Sequence, residues 1–106
     1  MSKVERLSEI AMKIITCAGL AKSNYLMALE DAKKGNVEEA HKKIQEGSDV
    51  FAEAHHVHAS VLTDEMTELE PQVTLLLVHA EDQLMNAETI KILVQELMEI
   101  HQTKIS

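Results

Sequence analysis

Apolar residues recur every three to four positions along nearly the whole chain, and the recurrence breaks twice. The first periodic set is Leu7, Ile10, Ala11, Ile14, Ala18, Ala21, Tyr25, Ala28, Leu29 and Ala32. The second is Val37, Ala40, Ile44, Gly47, Phe51, Ala54, His58, Val61 and Leu62, and the third Val73, Leu76, Leu77, Ala80, Leu84, Ala87, Val94, Leu97 and Met98. This spacing lines one face of an α-helix. No stretch sustains a period of two, so no sheet is expected.

The breaks carry their own signals. Gly35 follows a helical pattern and can take the left-handed conformation that ends a helix. Asn36 suits an N-cap, with Glu39 three residues later in capping-box position. The only proline, Pro71, lies in an acidic stretch and fits the first position of a helix. Helices are therefore expected over roughly 3–34, 37–66 and 71–104. Each has about 30 residues and a length of about 45 Å. Short connections make neighbours antiparallel, so the expected fold is an all-α, up-down-up three-helix bundle forming one domain over 1–106.

The third helix has more apolar surface than such a bundle needs. Leu75, Val78, Met85, Ile92 and Leu93 lie off its main stripe. A helix that is apolar on several sides must be covered on several sides, which predicts self-association through this helix without fixing the number of subunits.

Composition narrows the picture. Tyr25 and Phe51 are the only aromatic residues in 106, while hydrophobic residues make up 45%. The core must be built from Leu, Ile, Val, Met and Ala, with Met66, Met85 and Met98 as filler, and small residues allow close helix packing. The formal net charge of −8 excludes a nucleic-acid backbone or an anionic membrane surface as a partner. It suits a basic protein partner. The single cysteine, Cys17, excludes an internal disulfide and reads as a small buried hydrophobe. No apolar run is long enough to span a bilayer and no leader-like segment opens the chain, so a cytoplasmic protein is expected.

Candidate chemistry concentrates in TLLLVHAEDQLM, residues 74–85. His79 falls about two turns into the expected third helix, behind Leu75, Leu76, Leu77 and Val78. It reads either as a core histidine satisfied by one hydrogen bond or as a nucleophile, since a neutral imidazole forms covalent intermediates near neutral pH. Asp82, three residues on, projects from nearly the same face. It could orient the imidazole, sit in solvent, or meet its own copies on a symmetry axis, where several carboxylates could hold a cation that one could not. His55, His56 and His58 form a second histidine group; His55 and His58 share a face and His56 points elsewhere, but no cysteine is near and no second cluster has ligand spacing, so metal binding is not expected of them. His58 belongs to the core stripe, and His41 and His101 read as surface residues.

The stretch LLLVHAEDQLM closely resembles the signature of the enzyme IIA components of the lactose/cellobiose (N,N′-diacetylchitobiose) family. These belong to the bacterial phosphoenolpyruvate-dependent sugar phosphotransferase system. The family pattern is a Leu/Val run followed by His-Ala-Gln-Asp-(His or Gln)-Leu-Met. Here it reads Val78, His79, Ala80, Glu81, Asp82, Gln83, Leu84, Met85. AGLAKSNYLMALEDAKKGNVEEA in the first helix and its junction with the second, and EAH at Glu53, Ala54 and His55, extend the resemblance over essentially the whole chain.

The resemblance implies a homotrimer of three-helix subunits. It implies that His79 accepts a phosphoryl group from the phosphocarrier protein HPr and passes it to a cysteine of the IIB component. The sugar would be a β-linked disaccharide such as cellobiose, lactose or chitobiose. It also implies that Asp82 from three subunits holds a divalent metal ion, Mg2+, on the trimer axis. Contact with the membrane would be only indirect, through the membrane component of the system. Glu81 departs from the family's glutamine and would repel a phosphate on His79 unless it points away or is balanced by a cation. The competing reading is a non-catalytic helical interaction module, which the KKGNVEEAHKKI turn suggests. No repeat recurs at the period such modules need, and it explains neither His79 nor Asp82.

Overall fold

The computed structural model describes residues 1–105, with side chains through Lys104. Three helices, α1 (Lys3–Lys33), α2 (Val37–Glu68) and α3 (Leu75–Ile105), account for nearly all of it. No strand occurs among the described residues. They form an up-down-up bundle of 55 × 19 × 19 Å. Helix α1 packs along both others, whereas α2 and α3 approach each other at few positions.

Local chemistry sets the helix ends. The Ser2 hydroxyl caps α1, accepting from the Glu5 N–H at 3.1 Å. At the other end Gly35 has φ +85°. Its N–H donates to the Ala32 carbonyl at 3.0 Å, and the Asn36 N–H donates to the Asp31 carbonyl at 2.8 Å. This Schellman pair satisfies two carbonyls that the helix end would orphan. It also removes the expected capping box. The Asn36 N–H is already committed to α1, so Glu39 has no donor to reach back to and pairs instead with Lys42 at 3.4 Å. The Asn36 side chain makes no cap hydrogen bond.

Helix α3 begins at Leu75, not at Pro71. The Thr74 hydroxyl caps it, accepting from the Leu77 N–H at 3.0 Å. Residues 71–74 are not helical, and the Gln72 N–H donates to the Glu65 carboxylate of α2 at 2.8 Å. Helix α2 ends two residues later than expected and turns at Leu69, whose φ of 55° is unusual for a residue with a side chain.

The core runs the length of the bundle in two clusters. One centres on Leu7, Ile14, Val61, Leu77 and Leu84, the other on Tyr25, Ile44, Val94 and Met98. Alanines 11, 18, 21, 28, 32, 40, 54, 80 and 87 are all buried, so the helices pack through small side chains, as the composition implied. The tightest point is Gly47, where an added Cβ would lie 2.6 Å from Tyr25 Cε1 and 3.2 Å from the Ala21 carbonyl oxygen. Cys17 joins the core, and burial pushes its thiol above the ordinary value, with the Glu53 charge adding to this and Lys13 opposing it.

Several expected core positions lie elsewhere. Met66 and Met85 are exposed, and only Met98 of that trio fills the interior. Val73, Leu62 and Leu97 are exposed, and Phe51 is half-buried. On α3 the surplus apolar residues Leu75, Val78, Met85, Ile92 and Leu93 are all exposed. None of the described helices is long and apolar enough to cross a membrane.

Candidate functional site

Because α3 starts at Leu75, His79 is its fifth residue, about one turn in rather than two. It is exposed. Leu77, Ala80 and Leu84 carry the buried face of this part of α3, which leaves His79 on the helix flank. With Leu75 and Leu76 it lines a shallow, largely apolar depression. The imidazole makes no hydrogen bond or ion pair among the described residues. A core histidine satisfied by one hydrogen bond is therefore not what the fold builds.

Asp82 lies about 60° around the helix from His79. It too is exposed, and it is not hydrogen-bonded to His79 or paired with a cation. The same rotation directs Val78 and Met85 to the outer side of α3, so the carboxylate stands among exposed apolar side chains.

Glu81, the departure from the signature, points the other way. It lies about 160° from His79 around α3. Its Oε1 is 2.9 Å from Nε2 of His58 on α2, in a half-buried contact. The carboxylate thus faces the α2 side of the bundle, where an imidazole N–H can donate to it in the neutral or the charged state. His58 is half-buried rather than part of the core stripe. His55 stacks on Phe51 with ring centroids 6.2 Å apart, and His56 is exposed, so the three histidines of α2 do not converge. Among the described residues no three His, Cys, Asp or Glu side chains gather as a metal site.

One feature of this end escaped the sequence pattern. Gln72 is only 2% exposed, yet its side-chain amide and its backbone N–H are all engaged. Its Nε2 donates to Glu68 Oε2 at 2.8 Å and to the Glu70 carbonyl at 3.3 Å. Its Oε1 accepts from Arg6 Nη2 at 3.0 Å, and Arg6 Nη1 donates to Asp64 at 2.9 Å. Arg6 is the chain's only arginine. That singularity, with a glutamine directly after Pro71, was the available signal, but neither residue falls on a periodic face.

The family described as "PTS system, Lactose/Cellobiose specific IIA subunit" matches residues 9–102. The lichenan-specific phosphotransferase enzyme IIA component of Bacillus subtilis is 36% identical over 98 residues, covering 92% of this chain and 89% of that protein. The crystal structure of the cellobiose-specific enzyme IIA from Bacillus anthracis aligns with a TM-score of 0.88 at 30% identity, over 97% of this chain and 92% of that one. The IIA(Chitobiose) subunit in its solution complex with HPr, from Escherichia coli, aligns with a TM-score of 0.85 at 31% identity, over 94% and 97% of the two chains. A match over most of the chain, joined to the same three-helix fold, carries one conclusion: the protein belongs to the lactose/cellobiose-specific IIA subunits of the phosphotransferase system.

Proposed function

We propose that His79 is the phosphoryl carrier of this IIA subunit. A neutral ring nitrogen of His79 attacks the phosphorus carried by a histidine of HPr. The donor ring carries a proton on its other nitrogen, so as its P–N bond breaks and the new one forms it leaves as neutral imidazole, and the positive charge passes to the phosphorylated His79 ring. A cysteine thiolate of the IIB component then attacks, the His79 P–N bond breaks and a P–S bond forms. The group travels on to a β-linked disaccharide such as cellobiose, lactose or chitobiose as the sugar enters the cell. The chain would act in the cytoplasm and reach the membrane only through the system's membrane component.

The observation that carries this reading is the state of His79 itself, an imidazole with no internal partner on an exposed apolar flank. Phosphoryl transfer needs an accessible nucleophile, in-line approach and charge stabilisation more than acid–base machinery. Side chains tilt toward a helix N-terminus. A phosphate on His79 would lie back over the first turn of α3, where unsatisfied N–H groups and the helix dipole favour an anion. Glu81 is turned away to His58 and does not oppose that charge at close range.

The HPr complex of the Escherichia coli relative supports HPr as donor. Homotrimer formation is supported by the exposed apolar side of α3, which a single chain leaves in water. Asp82 fits a metal role only as one ligand among several subunits. It is a hard oxygen donor suited to Mg2+, with no partner among the described residues. The ion would offset repulsion between the clustered carboxylates.

Incubation with phosphoenolpyruvate, enzyme I and HPr should place an acid-labile phosphate on the protein, and His79→Ala should take none. Label on His79→Ala at the native rate would overturn the assignment.

A further inference from the structure

We infer that Gln72 and Arg6 are positioning residues for His79, acting through the start of α3. This rests on the phosphocarrier reading above. Apart from the Tyr25 hydroxyl, Gln72 carries the only buried polar side chain of nitrogen or oxygen among the described residues. It ties three elements at one point: α1 through Arg6, α2 through Glu65 and Glu68, and its own loop through the Glu70 carbonyl. Two residues later Thr74 caps α3, and five residues after that cap comes His79.

Little else holds this turn. Of the first five residues of α3, Leu75, Val78 and His79 are exposed, Leu76 is half-buried and Leu77 alone is buried. Leu75 is 87% exposed, so it adds almost no packing. Leu76 packs against the core beside Leu77, but a helix end with so few apolar anchors opens locally more easily than the core does. The Gln72 cluster adds a polar anchor and fixes where the cap, and hence the His79 side chain, stands relative to α1 and α2. Its energetic character suits that role. Leaving buried polar groups unpaired is costly, so the satisfied cluster admits one arrangement and resists its neighbours. Closing the bundle end would need no such network, since an apolar residue at 72 could do it. Transfer between two proteins, by contrast, depends on the nucleophile being held in place, and displacement by about 1 Å can cost on the order of 100-fold in rate.

The test uses Gln72→Met, which keeps the volume and removes the side-chain hydrogen bonds. The milder Arg6→Lys keeps the charge but cannot fork between Asp64 and Gln72. Phosphorylation of the full chain by phosphorylated HPr is measured with amide exchange and thermal unfolding. The expected result for Gln72→Met is a fall in kcat on the order of tenfold, with KM for the donor unchanged. Amide exchange should accelerate at residues 77–80 while exchange in the middle of α1 stays as it was. Arg6→Lys should show the same pattern at smaller amplitude, and serves as the folded variant if Gln72→Met does not fold. Unchanged kcat, or exchange that accelerates uniformly along the chain, would overturn the positioning role. Native protein that takes no phosphate would overturn the carrier reading and this one together. Native labelling with an unaffected variant would overturn this one alone.

Discussion

Replacing Gly47 by alanine sets two effects against each other. Glycine inside a helix is less favourable than alanine by about 1 kcal/mol, so on propensity alone Gly47→Ala stabilises. The tertiary contact opposes this. The new Cβ would stand 2.6 and 2.9 Å from two ring carbons of Tyr25, and 3.2 Å from the Ala21 carbonyl oxygen. Carbon atoms sit comfortably at about 3.5–4.0 Å, so the ring must retreat by about 1 Å. Tyr25 is 0% exposed and packed within the second core cluster. The ring is enclosed in the core, and the Ala21 oxygen belongs to the α1 backbone and cannot rotate away, so relief requires the two helices to move apart. Overpacking of this kind costs about 1–3 kcal/mol, and a ring and a backbone atom blocked together argue for the upper part of that range. The net expectation is destabilisation by about 1–2 kcal/mol, a fall of roughly 5–10 °C in Tm for a domain of this size. Thermal and urea unfolding followed by circular dichroism, at one fixed protein concentration, would read it. Adding Tyr25→Leu should return part of the loss, because the two substitutions share one contact and cannot be additive. A Tm for Gly47→Ala at or above the native value would refute the reasoning, for it would mean the helices separate at no cost.

Two further outcomes follow from the side-chain environments. Burial raises the Cys17 thiol above 9.0 and the Tyr25 phenol above 10.0, and the hydrogen bond to Asp31 raises the Lys43 ammonium above 10.5. Each group holds its proton more tightly folded than unfolded, so each contribution is complete below the unfolded value and is lost as pH rises through the folded one. Urea midpoints should fall from about pH 9 upward, and Cys17→Ala with Tyr25→Phe should flatten the decline; a midpoint independent of pH up to 11 in the native protein would contradict this. Glu81→Gln keeps a hydrogen bond to His58 while removing a charge that faces away from His79, so stability should change by less than about 1 kcal/mol and the rate of phosphorylation should hold; a large gain in rate would show that the carboxylate does act on the phosphate.

Periodicity found the three helices and most of the buried positions, because a 3.6-residue repeat maps directly onto one face of a helix. It misjudged places where a polar atom had two possible partners. Asn36 and Glu39 carry a capping-box pattern, but the Asn36 N–H is taken by Asp31 of the preceding helix. Pro71 carries a start signal, but the hydroxyl that caps the helix is that of Thr74, and the helix starts at Leu75. The candidate site was legible as a motif and not as a geometry. The pair His79 and Asp82 could be named from spacing, whereas the exposure of both in one chain could not, since it depends on which face of α3 the other helices cover.

The amino-acid sequence by itself determined the number of helices, their small-residue core, the surplus apolar side of α3 and the family signature around His79, because each is written in local spacing or residue identity. Tertiary structure alone decided that Glu81 turns to His58, that Gln72 is buried with its side-chain amide bonded, and that Gly47 admits the Tyr25 ring. Those facts depend on which groups from separate helices meet, and a buried donor or acceptor takes the partner that the whole fold brings within reach.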